Sequence, residues 1–143
     1  MRVLVLHGPN LNLLGVREPE IYGTQTLEEL NREIVDAATE LGISATCAQY
    51  NGEGQIIDAL HAARGAYDAI VINPGAYAHY SYAIADALRS IGVPAIEVHL
   101  TNVAARDEFR RVSVTAAACR ASISGLGSSS YKLALRSLAE MAR

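Results

Sequence analysis

Short apolar, β-branched runs alternate with helical stretches along the whole chain, and this alternation constrains the fold more than any other feature. Parallel neighbouring strands need a crossover of a dozen or more residues, usually a helix. Arg2–His7 (RVLVLH) reads as the first strand, followed by a long connection from Gly8 to about Gln25. Thr26-Leu27-Glu28-Glu29 is a capping box, with Thr26 at the N-cap and Glu29 reaching back. Leu27, Leu30, Ile34, Ala38 and Leu41 then recur at helical spacing, and Gly42 is the stop. Ile43–Gln49 is the second strand. Gly54 opens a helix carrying Ile56, Ile57, Leu60 and Ala63 that stops at Gly65. Ala69–Asn73 (AIVIN) is apolar on both faces, as a central parallel strand is. A helix from Ser81 turns Ile84, Leu88 and Ile91 inward and is broken by Gly92 and Pro94. Pro94–His99 is the fourth strand and Ala121–Gly125 the fifth. Ser130–Met141 is the last helix, with Leu133, Leu135 and Leu138 inward.

Strands joined by helical crossovers give a parallel sheet between two helical layers. Five strands in 143 residues fit a flavodoxin-like order, 2-1-3-4-5. The length suits a single domain over residues 1–143. With 50% hydrophobic and 19% charged residues, the composition excludes a disordered chain. The first apolar run is too short for a secretory signal, so a cytoplasmic protein is expected, with no membrane partner. A net charge of −3 weighs against a general nucleic-acid binder. Cys47 and Cys119 stand far apart, and His7, His61, His79 and His99 are scattered without HExxH, so no metal site is expected. Lys132 is the single lysine among 12 basic side chains, and so the only candidate for imine chemistry.

In such a sheet, ligands bind beyond the carboxyl ends of the strands, at the switch point between strands 1 and 3. The unusual polar residues gather there. After strand 1 come His7-Gly8-Pro9-Asn10, Asn12, Arg17, Glu18 and Tyr22, and after strand 3 comes Asn73-Pro74-Gly75-Ala76-Tyr77-Ala78-His79. Strand 4 ends in Glu97-Val98-His99-Leu100-Thr101-Asn102, with Arg106, Arg110 and Arg111 following. Many of these are turn formers in any loop. Glu97 and His99, two apart on a strand, share a face turned away from that of Ile96 and Val98. They read either as a satisfied polar pair or as a carboxylate orienting a proton-transferring imidazole. Gly15 and Gly23 bracket Val16–Tyr22, so the first connection could act as a lid. Tyr22 either anchors that loop or serves as a base; a tyrosine titrates near 10, so the second role needs cations such as Arg17, Arg106, Arg110 or Arg111 beside it. The arginines after strand 4 read as a solvated face or as a clamp for an anionic substrate.

The joint order and spacing of several blocks resembles the type II 3-dehydroquinate dehydratases along almost the whole chain. The blocks are Gly8-Pro9-Asn10-Leu11-Asn12 with Leu14-Gly15, Arg17-Glu18-Pro19 with Tyr22-Gly23, and Gln49 with Asn51 and Glu53-Gly54. Further on come Asn73-Pro74-Gly75-Ala76-Tyr77 with His79 and Ser81, Glu97-Val98-His99-Leu100 with Asn102, Arg106-x-Glu108-Phe109-Arg110, and Gly125-Leu126-Gly127 with Tyr131. The resemblance implies dehydration of 3-dehydroquinate to 3-dehydroshikimate in the shikimate pathway, through an enolate, with no cofactor and no Schiff base. It implies Tyr22 as base with Arg17 as its cation, Asn10 holding a water at the enolate oxygen, and His99, oriented by Glu97, as acid. Asn73, His79, Leu100, Thr101 and Arg110 would bind the substrate. The family assembles trimers into dodecamers, and Asp86 would reach a neighbouring subunit's site. Its place on the third helix, opposite Ile84, Leu88 and Ile91, points it out of the subunit.

The chain departs from the family pattern at Thr101, where Ser is usual, and at Ala78-His79-Tyr80, where Thr flanks the imidazole. Tyr50 and Gly52 replace Ser, and Ser130 replaces Gly. A flavodoxin-like binding or signalling module is the alternative. A flavin binder needs a Ser/Thr-rich loop where Gly-Pro-Asn-Leu-Asn stands, and a receiver needs acidic residues where His7 and Asn73 stand. A catalytically silent relative would not need the intact set of Tyr22, Arg17, Glu97 and His99.

Overall fold

The computed structural model describes residues 1–143, and five parallel strands run through its centre in the order β2-β1-β3-β4-β5. The strands are β1 (Arg2–His7), β2 (Ser44–Gln49), β3 (Ala69–Asn73), β4 (Ala95–His99) and β5 (Ala121–Ser124). The expected class and strand order are those observed. Alternate residues of each strand feed two separate cores. Val3, Val5, Ala69, Val71, Ile96 and Val98 pack on one face against α2 (Leu27–Glu40) and α5 (Ser129–Met141). Leu4, Leu6, Ile70, Ile72 and Ala95 pack on the other against α3 (Glu53–Ala63) and α4 (Tyr82–Ile91). Each fully buried Leu or Ile contributes about 1.5–3 kcal/mol, so the two layers supply the main stabilising term.

The helices begin where their caps say they should. Glu29 N–H donates to Thr26 Oγ1 at 3.2 Å while Thr26 N–H donates to Glu29 Oε2 at 3.0 Å. Ser81 caps α4 by accepting from Ile84 N–H, and its own hydroxyl donates to Glu53 Oε2 at 2.6 Å, tying α4 to the start of α3. On α5 the expected inward Leu133 is instead 43% exposed. Tyr131, Ala134, Leu135 and Leu138 form its buried stripe, because the i, i+3, i+4, i+7 set begins at Tyr131.

Two connections carry more structure than the sequence pattern suggested. The first, after β1, holds a 3-10 turn at Leu11–Leu13 and a short helix, α1 (Pro19–Tyr22). Pro19 occupies its first turn, where a missing N–H costs nothing. The second, between β4 and β5, is built of three 3-10 turns at Val103–Ala105, Glu108–Arg111 and Ala116–Ala118. Short 3-10 turns have no amphipathic period to read. Gly8 sits at the exit of β1, where a Cβ would lie 2.6 Å from the Pro74 carbonyl carbon. Only glycine allows the β1 and β3 exit loops to touch there.

Candidate active site

The carboxyl ends of β1, β3 and β4 open into one cleft. Its walls include Asn10, Arg17 and Tyr22 from the first connection and Asn73 and His79 after β3. His99, Leu100, Thr101, Arg106 and Arg110 complete it from β4 onward. Of the eleven expected site residues, only Glu97 and Asp86 do not line it.

Tyr22 closes one side. Arg106 Nη1–H donates to its hydroxyl at 2.7 Å. The guanidinium carbons of Arg17 and Arg106 lie 5.0 and 5.2 Å from its ring centroid. Two guanidinium groups therefore lie against one phenol. The same cations, with Arg110, give the cleft a field that attracts anions. Arg17 also reaches Glu18 Oε2 at 3.4 Å, and Arg110 reaches Asp107 Oδ2 at 3.4 Å.

His99 lines the same cleft. Its Nε2 meets Glu97 Oε1 at 2.7 Å, which leaves Nδ1 for the cleft. Ile96 and Val98 enter the apolar core while Glu97 and His99 turn to the other face, and that face is buried too: every residue of β4 is buried, and Glu97 has no exposed surface. Hydroxyl donors meet both of its oxygens. Ser113 Oγ–H donates to Oε1 at 2.7 Å and Thr115 Oγ1–H donates to Oε2 at 2.5 Å. Buried carboxylates need such partners. Ser113 and Thr115 are partners of Glu97 that the sequence reading did not single out. They lie 16 and 18 residues beyond Glu97 in a segment with no period, so no local signal marks them.

His79 stands beside His99, with ring centroids 6.4 Å apart and planes 17° from parallel. Its Nδ1–H donates to the Val112 carbonyl at 2.7 Å, so Nε2 is the free nitrogen of the neutral ring. The edge of Phe109 packs against it at 5.7 Å. Asn10 adopts φ 68°, a left-handed conformation that Asn tolerates, and its N–H donates to Asn51 Oδ1 at 3.1 Å.

This set of residues in this fold has known counterparts. Residues 1–139 match the family described as Dehydroquinase class II. The chain belongs to that family. It is 52% identical over 142 residues to the 3-dehydroquinate dehydratase of Pelotomaculum thermopropionicum, covering 99% of each chain. It superposes on the type II dehydroquinase of Butyrivibrio crossotus with a TM-score of 0.94 at 48% identity, covering 96% of this chain and 97% of the other. The Propionibacterium acnes enzyme of the same type gives 0.94 at 45%, covering 97% and 96%.

The remaining expected positions of this class II dehydroquinase lie outside the cleft. Asp86 is exposed on α4 and pairs only with Arg89, at 3.4 Å. Lys132 lies on α5, where its ammonium meets Glu33 at 2.9 Å and holds that carboxyl below its ordinary range. Burial pushes the thiols up, Cys47 to about 11 and Cys119, with Glu97 adding to it, to about 12. Both are therefore poor nucleophiles. No group of three or more His, Cys, Asp or Glu side chains is placed to hold a metal ion. No helix is long and apolar enough to cross a membrane.

Proposed function

We propose that this chain removes water from 3-dehydroquinate to give 3-dehydroshikimate, with Tyr22 as base and His99 as acid. The observation that carries the reading is the juxtaposition in one cleft of a phenol held between two guanidiniums and an imidazole held by a buried carboxylate. A phenolate accepts the proton from the carbon next to the ketone, and the electron pair moves into an enolate. A water on Asn10 hydrogen-bonds the enolate oxygen. As the enolate collapses, the C1–oxygen bond breaks, and His99 gives its proton to the leaving hydroxyl, which departs as water. Tyr22 and His99 then exchange protons with solvent to reset. The arginines favour an anionic substrate, and Asn73, His79, Leu100, Thr101 and Arg110 bind its carboxylate and hydroxyls. No step needs a cofactor.

The exposed carboxylate of Asp86 supports a second part of the proposal: trimers assembled into a dodecamer, with Asp86 entering a neighbouring subunit's site. A fully active particle with the 15.2 kDa mass of one chain in light scattering would refute this part.

The activity is tested by adding purified protein to 3-dehydroquinate and following ultraviolet absorbance, since the product is a conjugated enone carboxylate. A steady rise is expected. No rise at micromolar enzyme would overturn the reading.

A further inference from the structure

Behind the cleft, the ends of β1 and β3 are joined by a chain of hydrogen bonds, buried at its centre, that the mechanism above does not use. It begins at Gly75, whose N–H donates to Asn73 Oδ1 at 3.1 Å. That contact fixes which end of the Asn73 amide is oxygen. Asn73 Nδ2 therefore donates to Tyr131 Oη, at 3.0 Å. Tyr131 has no exposed surface, and its own proton must find an acceptor. The acceptor is His7 Nδ1, at 3.1 Å. A neutral imidazole that accepts at Nδ1 carries its proton on Nε2. That proton goes to Asn31 Oδ1 on α2, at 2.8 Å. Each bond in the series dictates the direction of the next.

Asn73 lines the cleft and has two amide hydrogens. One is directed to Tyr131, which leaves the other for a ligand. We infer that Tyr131, held in turn by His7, is a positioning residue that locks the Asn73 amide with its free N–H presented to the substrate. Tyr131 belongs to the Gly125-Leu126-Gly127 block, to which the mechanism above assigns no step. Burial keeps the direction constant across working pH. It holds His7 at about 4, against a weaker opposing effect of the Asn31 contact, and it pushes the Tyr131 phenol well above its ordinary range. Neither group titrates near neutrality, so the series does not reverse.

The inference rests on the dehydratase reading for its kinetic test but not for its structural one. Tyr131→Phe keeps the ring and removes the hydroxyl, so Asn73 loses the acceptor that orients it. The expected result is a loss of about 10-fold or more in kcat/KM for 3-dehydroquinate. In an Asn73→Ala background the same substitution should cost less than about 2-fold, because the group it acts through is gone. A general packing defect would lower activity equally in both backgrounds, and that outcome, or full activity of Tyr131→Phe, would overturn the proposal. Neutron diffraction on the unaltered, perdeuterated protein at neutral pH decides the matter without turnover, and also covers a variant that does not fold. Deuterium on His7 Nε2 and on Tyr131 Oη aimed at His7 is expected. Deuterium on His7 Nδ1 would overturn the proposal. If the unaltered enzyme leaves 3-dehydroquinate unchanged while the neutron map shows the expected pattern, the activity reading has failed and the locked amide stands.

Discussion

Arg106 donates to the Tyr22 hydroxyl at 2.7 Å across 84 residues of sequence, and this contact joins two of the three connections that build the cleft. Tyr22 comes from the short helix after β1 and Arg106 from the 3-10 segment after β4. The cation therefore arrives from a different connection.

Tyr22→Phe should fold normally, since the ring still packs between Arg17 and Arg106, and should lose turnover by about 10²–10⁴-fold, the usual contribution of a positioned base. Arg106→Gln should also lower turnover, because the Tyr22 oxygen loses the cation that donates to it. Steady-state kinetics alongside thermal unfolding checks both. Near-normal turnover in Tyr22→Phe would remove the base from the lid.

The pair Glu97–His99 leads to a second prediction. Glu97 is fully buried and depends on Ser113 and Thr115 as well as His99. Thr115→Val preserves shape but leaves Oε2 without a donor. The expected cost is about 1–3 kcal/mol in chemical denaturation, with reduced turnover as His99 loses its fixed partner. An unchanged denaturation midpoint would show that water replaces the lost hydroxyl.

How much of this was legible beforehand follows from where each residue sits. Strands and long helices obey periods of 2 and 3.6, so the sheet order, the cap at Thr26 and the helix start at Ser81 could be read from sequence. The family blocks carried Tyr22, Arg17 and His99 into view. Arg106 was one of several arginines with no means of choosing among them, because its contact spans two irregular segments. Ser113, Thr115 and the Tyr131–His7 pair were invisible as a group. A buried carboxylate or amide recruits whatever donor the tertiary fold brings near, and neither period nor spacing encodes that choice. Leu133 misled because Leu is apolar wherever it stands, while Tyr131 carries the buried position with a polar tip.

Lys132 allows a test of the chemistry by exclusion. It lies on α5 with its ammonium engaged by Glu33 of α2, and it does not line the cleft. Borohydride added during turnover should leave activity intact, because a reducible imine requires a lysine at the reacting carbonyl. Mass spectrometry showing a substrate adduct on Lys132, with activity lost, would contradict the proposed mechanism.

The buried His7 predicts a specific loss of stability in acid. In the folded chain burial lowers it from 6.5 to about 4, whereas in the unfolded chain it titrates near 6.5. Below pH 6.5 the unfolded state takes up a proton that the folded state refuses until about pH 4. The stabilisation is therefore complete above pH 6.5 and is lost progressively as pH falls toward 4, after which it changes no further. The shift corresponds to about 3 kcal/mol over that window. Carboxylates such as Glu33 and Asp68, whose partners hold them below their ordinary range, lose their contributions at lower pH still. His7→Gln retains an amide that can donate and accept but does not titrate. Urea unfolding at pH 7 and pH 4.5 should show a clearly smaller acid loss in His7→Gln than in the unaltered protein. Equal losses would mean that His7 is charged in the fold, and that the bond it accepts from Tyr131 does not exist in acid.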